Sequence, residues 1–307
     1  MSLLTIYIAR EGLKHQTGAG HPECPERLAA LLSLFEKSPF IALPRIEAQE
    51  AEMKWVKRVH DPRYLDQLEM AIPDYGHQAL DQDTVLSPFS WQAALAAAGA
   101  VCQAVDDVIA GKTTRAFCAL RPPGHHAFPD HAEGFCLLNN IMIGARHAQA
   151  NGLGRIAIVD FDVHHGNGSD AIARQHDHIF YASTHQAHIY PHSGDPAQNI
   201  TGRIMNLTME AGEGSSVFRR HYEQDILPAV KSFNPDLLMI SAGFDAHKND
   251  PLAQINLETT DFGWVTAELM KIAHECCQGR IVSVLEGGYD LAALSDSVGS
   301  HLKNLMI

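Results

Sequence analysis

The feature that most constrains this chain is an apolar run that stops abruptly in acids and histidines. Arg155-Ile-Ala-Ile-Val159 has the length and β-branched content of a core strand, and Asp160-Phe-Asp-Val-His-His-Gly-Asn-Gly168 follows it at once. Carboxylates and imidazoles are thereby delivered where a strand ends. Asp160, Asp162 and His164 alternate with a period of two, so all three share one side wherever the extended conformation persists. That is half of a metal site; the competing reading is a solvated loop rich in Asp and His.

The pattern recurs. The strand predicted over Arg115 to Leu120 ends in Arg121-Pro-Pro-Gly-His125-His126-Ala-Phe128, where two prolines and a glycine stiffen the backbone that carries adjacent imidazoles. Leu237 to Ile240 ends in Ser241-Ala-Gly-Phe-Asp245-Ala-His247, and Ile281 to Leu285 ends in Glu286-Gly-Gly-Tyr289-Asp290. Further strands are predicted over Leu4 to Ala9, Ile179 to Ala182 and near Ile204 to Leu207. Helices are predicted over Phe89 to Ala110, about Asn139 to Asn151 and roughly Ser216 to Phe233. This alternation implies a mostly parallel sheet covered on both faces, with its carboxyl ends forming one ligand-binding edge.

Two segments are less explicit. Pro25-Glu26-Arg27 opens a helix that continues through Leu28 to Phe35, and Arg27 reads there as a surface arginine in a first turn. Ile72 to Pro88 is a long polar connection containing Asp74, Asp81 and Asp83, either the rim of a site or a mobile loop.

Composition bounds the function. With 307 residues, 46% hydrophobic content and no internal repeat, the chain reads as a single domain over 1–307 with a large core. A net charge of −13 argues against a broad electrostatic grip on nucleic acid or an anionic membrane, and favours a cationic ligand. The six cysteines form no CxxC pair, so no thiolate zinc site or disulfide framework is indicated. With no signal-type N-terminal segment, the expected location is cytoplasmic.

The strand-end groups add up to a chemistry. One imidazole and two carboxylates (Asp162, His164, Asp245) leave positions open on a divalent ion, the mark of a catalytic metal, beside which a water ionises near neutrality. His125 and His126 are acid/base types, and Tyr289 offers a hydroxyl to an oxyanion, so the parts suit hydrolysis of an amide. Taken singly, Asp245 could instead cap a helix and Tyr289 could be a core residue.

At this point the sequence resembles the zinc-dependent histone deacetylase superfamily, which includes acetylpolyamine amidohydrolases and acetoin-utilisation proteins. The likeness rests on Arg121-Pro-Pro-Gly-His-His-Ala127, Gly134-Phe-Cys136, the Asp160 to Gly168 stretch, Ser241-Ala-Gly-Phe-Asp245 and Leu285-Glu-Gly-Gly-Tyr289, and runs from His21-Pro22-Glu23 to the Tyr289 loop. It implies the arginase/deacetylase fold, an α/β domain around a central mostly parallel sheet of about eight strands with helices on both faces. It implies zinc on Asp162, His164 and Asp245, a ligand set that ferrous iron also suits, and a structural potassium ion among Asp160, Asp162, His164 and Ser183. By the same resemblance His126 is the general base and acid, His125 its electrostatic partner and Tyr289 the carbonyl-polarising donor, with Asp160 orienting His125. Asn167 stands behind His126 where some members carry aspartate, as in the class II branch.

The resemblance also assigns Phe135 and Tyr190 as aromatic walls around an alkyl-amide stem, Gly134 as the residue whose backbone carbonyl accepts from the amide N–H, and Arg27 as a residue near an internal acetate-release channel. The implied substrates are acylated lysine or acylated polyamine. Leu252 follows Asp250-Pro251 where polyamine-selective relatives can carry glutamate, which favours acyl-lysine over the alternative, an acetylpolyamine amidohydrolase. Two other readings rank lower. Phe244-Asp245-Ala246-His247 with Asp250-Pro251 faintly echoes a two-metal ureohydrolase, and a module that binds acyl-lysine without hydrolysis would have no use for a full catalytic set.

Overall fold

The computed structural model describes residues 2–307. Its strands, in chain order, are β1 (Ser2–Ile8), β2 (Arg45–Glu47), β3 (Gln78–Ala79), β4 (Val85–Leu86), β5 (Thr113–Ala119), β6 (Ile156–Asp160), β7 (Ile179–Gln186), β8 (Ile204–Met209), β9 (Leu237–Ala242) and β10 (Ile281–Leu285). The helices are α1 (Pro25–Phe35), α2 (Met53–Val56), α3 (Pro62–Met70), α4 (Ser90–Ile109), α5 (Asn140–Ala150), α6 (Asn167–Arg174), α7 (Ser215–His221), α8 (Leu227–Phe233), α9 (Thr259–Cys277) and α10 (Leu291–Leu305).

Eight strands form one parallel sheet in the order β2-β1-β5-β10-β9-β6-β7-β8. Both faces are buried, which is why the strands read as continuous apolar runs rather than alternating ones. The alternation survives in which core each residue joins. Cys118, Ile158, Met239 and Val282 pack toward α4 and α5, while Phe117, Val159, Ile240 and Ile281 point to the other face with α1, α9 and α10. Alanines on nearly every side of α4 let it sink into that core; its length and apolar composition would suffice to cross a bilayer, but most of it is buried inside the protein.

Register levels the carboxyl ends. Asp160 lies opposite both Ser183 of β7 and Ser241 of β9, and Leu285 of β10 lies opposite Ala242. Four strands that are distant in sequence, β5, β10, β9 and β6, are consecutive in the sheet, so their polar termini open at one place.

Two expectations change in detail. The helix expected over Ser216 to Phe233 is two helices joined by a π-helical turn at Tyr222–Ile226, where the wider i to i+5 bonding re-aims the chain before α8. The connection from Ile72 to Pro88 holds the small antiparallel ribbon of β3 and β4, closed by Asp81 Oδ1 accepting the N–H groups of Asp83 and Thr84. It is therefore a built rim.

Candidate active site

The loop after β6 folds back on its own carboxylates. Asp160 Oδ1 accepts the Asp162 N–H at 3.1 Å, and Asp162 Oδ1 accepts the His164 N–H at 2.9 Å. Neighbouring loops complete the cradle: Gly287 N–H donates to Asp162 Oδ2 at 2.7 Å and Val163 N–H to Asp245 Oδ1 at 2.8 Å. Glycine is needed at 243 and 287, because a Cβ at either would overlap the Asp162 carboxylate. Asp245 is consequently not a helix cap; the next helix, α9, is capped by Glu258 and Asp261.

Asp162, His164 and Asp245 bring ligand-type atoms within 4.8 Å of one another, all buried. His164 Nδ1 lies 3.0 Å from Asp245 Oδ2 and 3.2 Å from Asp162 Oδ1. Burial and the charge of Asp162 push Asp245 up to about 7. Burial opposes charge on His164, but both carboxylates outweigh it and lift the imidazole to about 10. Two buried carboxylates converging on one imidazole form a donor set that a divalent cation fits, because the cation would supply the positive charge these groups lack.

The paired histidines lie beside this cradle with rings 4.0 Å apart, in opposite environments. His125 Nδ1 meets Asp160 Oδ2 at 3.1 Å, and the Tyr181 hydroxyl donates to the same oxygen. Burial disfavours charge on His125, yet the carboxylates of Asp162 and Asp160 prevail and raise it to about 10. His126 Nδ1 meets only the neutral Asn167 Oδ1, at 2.8 Å, and burial, then the neighbouring His125 and His164, push it well below its ordinary value. One ring holds a proton and the other accepts one.

A cavity of about 220 Å³ leads to these groups, lined by Asp83, His126, Gly134, Phe135, His164, Tyr190, Leu252 and Tyr289. Phe135 adopts φ 67°, a left-handed conformation that costs a non-glycine residue about 1–2 kcal/mol, and its N–H donates to Thr84 Oγ1 on the rim. Its ring meets Tyr289 edge-on at 5.8 Å, and the His126 and Tyr190 rings cross edge-on at 5.3 Å. Burial pushes the Tyr289 phenol well above its ordinary pKa, so it remains a donor. Leu252 sits at the mouth, 38% exposed. Asp160 and Ser183 stand behind the cavity instead of lining it, and Ser183 Oγ bonds His185 Nδ1 at 2.9 Å.

Arg27 departs from its sequence reading. It is fully buried, donating to Gly288 O, Glu286 O and Glu23 Oε1, with its guanidinium 4.9 Å from the centre of the Tyr289 ring. Cys24-Pro25 turns the first turn of α1 inward, and Glu23 neutralises both Arg27 and Arg121. Sequence reasoning also missed Glu286, whose buried carboxylate accepts the N–H groups of Gly124 and His125 and the Ser241 hydroxyl. Its place directly after a core strand was the available signal.

Residues 21–305 match the family model described as the histone deacetylase domain. Histone deacetylase 14, chloroplastic, of Arabidopsis thaliana is 36% identical over 323 residues, 98% of this chain and 76% of that protein. The histone deacetylase-like amidohydrolase of Pseudomonas aeruginosa is 37% identical over 281 residues, 89% of this chain and 74% of that one. A crystal structure described as the HDA15 HD domain is 30% identical and superposes with a TM-score of 0.93, covering 100% of this chain and 90% of that one. The eight-stranded parallel sheet with flanking helices is the arginase/deacetylase fold of that structure. With its motifs, sheet and site geometry in agreement, the chain belongs to the histone deacetylase family.

Proposed function

We propose that this protein is a metal-dependent hydrolase that removes the acyl group from an acylated lysine side chain. The observation that carries this reading is the pair His125 and His126, held by unlike partners beside Asp162, His164 and Asp245 at the end of one narrow cavity. The names histone deacetylase and histone deacetylase-like amidohydrolase carried by relatives support the same reaction class.

Asp162, His164 and Asp245 would hold the ion, zinc or ferrous iron, and when bound it supplies Lewis acidity to the amide carbonyl and to a water. His126, kept neutral by burial and by the neighbouring His125 cation, takes the proton from the attacking water and returns it to the leaving amine. His125, held charged by Asp162 and by its hydrogen-bond partner Asp160, adds positive potential next to the developing oxyanion. The Tyr289 hydroxyl donates to that oxyanion from the opposite wall. Asp160, Asp162, His164 and Ser183 are the proposed potassium surroundings, which would steady the same loop.

The slender cavity between Phe135 and Tyr190 suits an uncharged aliphatic stem, with the apolar Leu252 at its mouth favouring a lysine side chain. One observation favours the second reading, acetylpolyamine hydrolysis: the Asp83 carboxylate lines the same mouth and would attract a cationic chain. Among the described residues one cluster of three metal-type donors is found, which supports a single-metal centre over the two-metal centre of a ureohydrolase.

The test is turnover by metal-reconstituted protein across acetyl-lysine peptides, longer acyl-lysine peptides and acetylpolyamines. Hydrolysis of acyl-lysine with the highest kcat/KM is the expected result. Absence of any turnover, or release of urea from a guanidino substrate, would overturn the proposal.

A further inference from the structure

The family resemblance leaves His126 with a neutral partner, Asn167, and gives no part to Glu133. The structure joins them. Asn167 Nδ2 donates to Glu133 Oε1 at 3.1 Å, and the Tyr190 hydroxyl donates to the same oxygen at 3.1 Å. At the other end of the amide, Asn167 Oδ1 accepts the Gly168 N–H at 3.1 Å and faces His126 Nδ1 at 2.8 Å.

These contacts determine which way the amide points. Turning it over would set Nδ2 against the Gly168 N–H and Oδ1 against the Glu133 carboxylate, two repulsive contacts in place of two hydrogen bonds. With Oδ1 fixed toward His126, the imidazole must carry its proton on Nδ1, which leaves Nε2 with the lone pair that a base needs. Glu133 is itself anchored: its N–H and C=O exchange hydrogen bonds with Cys136, and Gly134 beside it packs so closely that a Cβ would strike the His126 ring and the Tyr190 hydroxyl. Its other carboxylate oxygen lies 3.6 Å from His131 Nε2.

We propose that Glu133 is a positioning residue that sets the tautomer of His126 through the Asn167 amide, and that the same oxygen ties the Tyr190 wall of the substrate cavity to that base. The proposal rests on His126 being the base of the hydrolysis proposed above. A neutral asparagine then relays the orienting effect of a carboxylate one side chain further away, and the aromatic wall and the base move together.

The test compares zinc-loaded parent protein with Glu133→Met, Glu133→Gln, Asn167→Ala and the Glu133→Met/Asn167→Ala pair. Two readouts are taken: kcat on an acetyl-lysine peptide, and nitrogen NMR of the His126 imidazole, assigned by the signals lost in His126→Gln. Glu133→Met is expected to lower kcat about tenfold, the scale of losing an outer partner of a site residue. Glu133→Gln, which keeps an acceptor, falls between it and the parent. The pair should be no slower than Asn167→Ala alone, and the His126 signals should move from the Nδ1-protonated form toward a mixture of tautomers. Unmoved His126 signals, or an undiminished effect of Glu133→Met in the Asn167→Ala background, would overturn the proposal. If Glu133→Met does not fold, the Glu133→Gln signals decide by the same criterion. A parent without turnover whose His126 signals still move in Glu133→Met refutes the hydrolase reading and leaves the linkage standing.

Discussion

Asp250 Oδ2 accepts the backbone N–H of Tyr289 at 2.7 Å, so the loop after β9 pins the loop after β10. The phenol is thereby held from both sides, with the Arg27 guanidinium against its ring. Tyr289→Phe is expected to lower kcat by about 100-fold or more, the usual cost of one oxyanion donor, while zinc stays bound. Asp250→Ala should give a smaller loss of about tenfold by freeing the loop. Steady-state kinetics with metal analysis on the same samples checks both, and full activity in Tyr289→Phe would refute the role given to the hydroxyl.

Removing one carboxylate from the cradle should act in opposite directions on the two forms of the protein. Asp245→Asn takes away a metal donor, so zinc should no longer raise Tm. It also removes the charge that Asp162 and burial oppose in the metal-free chain, so the metal-free variant should melt above the metal-free parent. Thermal unfolding with and without added zinc reads both. A variant stabilised by zinc as much as the parent would exclude Asp245 as a ligand.

Acid stability should depend on a buried histidine that does not line the cavity, His301, whose ring packs on Phe161 and Phe244. Thr266 Oγ1 donates to Phe262 O, so it accepts from His301 Nδ1–H, which leaves His301 Nε2 to accept the Ser283 hydroxyl. The neutral ring is fully satisfied, and burial depresses its pKa from 6.5 to about 3. Below pH 6.5 the unfolded chain binds a proton that the folded ring refuses, so this contribution is intact above that pH and lost as pH falls toward 3. His301→Gln should flatten the decline of unfolding free energy by about 1.4 kcal/mol per pH unit near pH 5. Denaturant midpoints at pH 7 and pH 5 measure it, and an unchanged slope would show that His301 titrates normally.

Leu252 at the cavity mouth gives a test of substrate choice. Leu252→Glu adds a second carboxylate to the mouth that Asp83 already lines, and should raise the ratio of kcat/KM for acetylpolyamine over acetyl-lysine peptide by about tenfold, the scale of one well-placed ion pair. An unaltered ratio would remove Leu252 from the specificity elements.

Much of the site was legible because its residues follow apolar runs. The strands under Asp160, Asp245 and Tyr289 are buried on both faces, and a carboxylate or hydroxyl directly after such a run has little reason to be there except chemistry. The order of the strands was not legible, since pairing of β10 with β5 and β9 depends on contacts between distant segments. The surface reading of Arg27 failed because a first-turn arginine carries no local mark of which way its helix faces; only the family resemblance suggested an internal position. The π-helical turn at Tyr222–Ile226 likewise has no signature in apolar spacing. Glu133 escaped notice because an acid outside a repeated pattern resembles an ordinary loop residue until its partners are seen, whereas Glu286 stood directly after β10 within a quoted motif and was given no role of its own.

The strand β10, latest of the sheet in chain order, lies between β5 and β9 near the middle of it. A chain emerging from a ribosome therefore presents two interior strand edges that cannot close until Ile281 to Leu285 have been made. Until then the Asp162 cradle lacks the Gly287 N–H, and Tyr289 is absent altogether. The keystone arrives late, and a nascent or C-terminally clipped chain would be both inactive and open to edge-to-edge association.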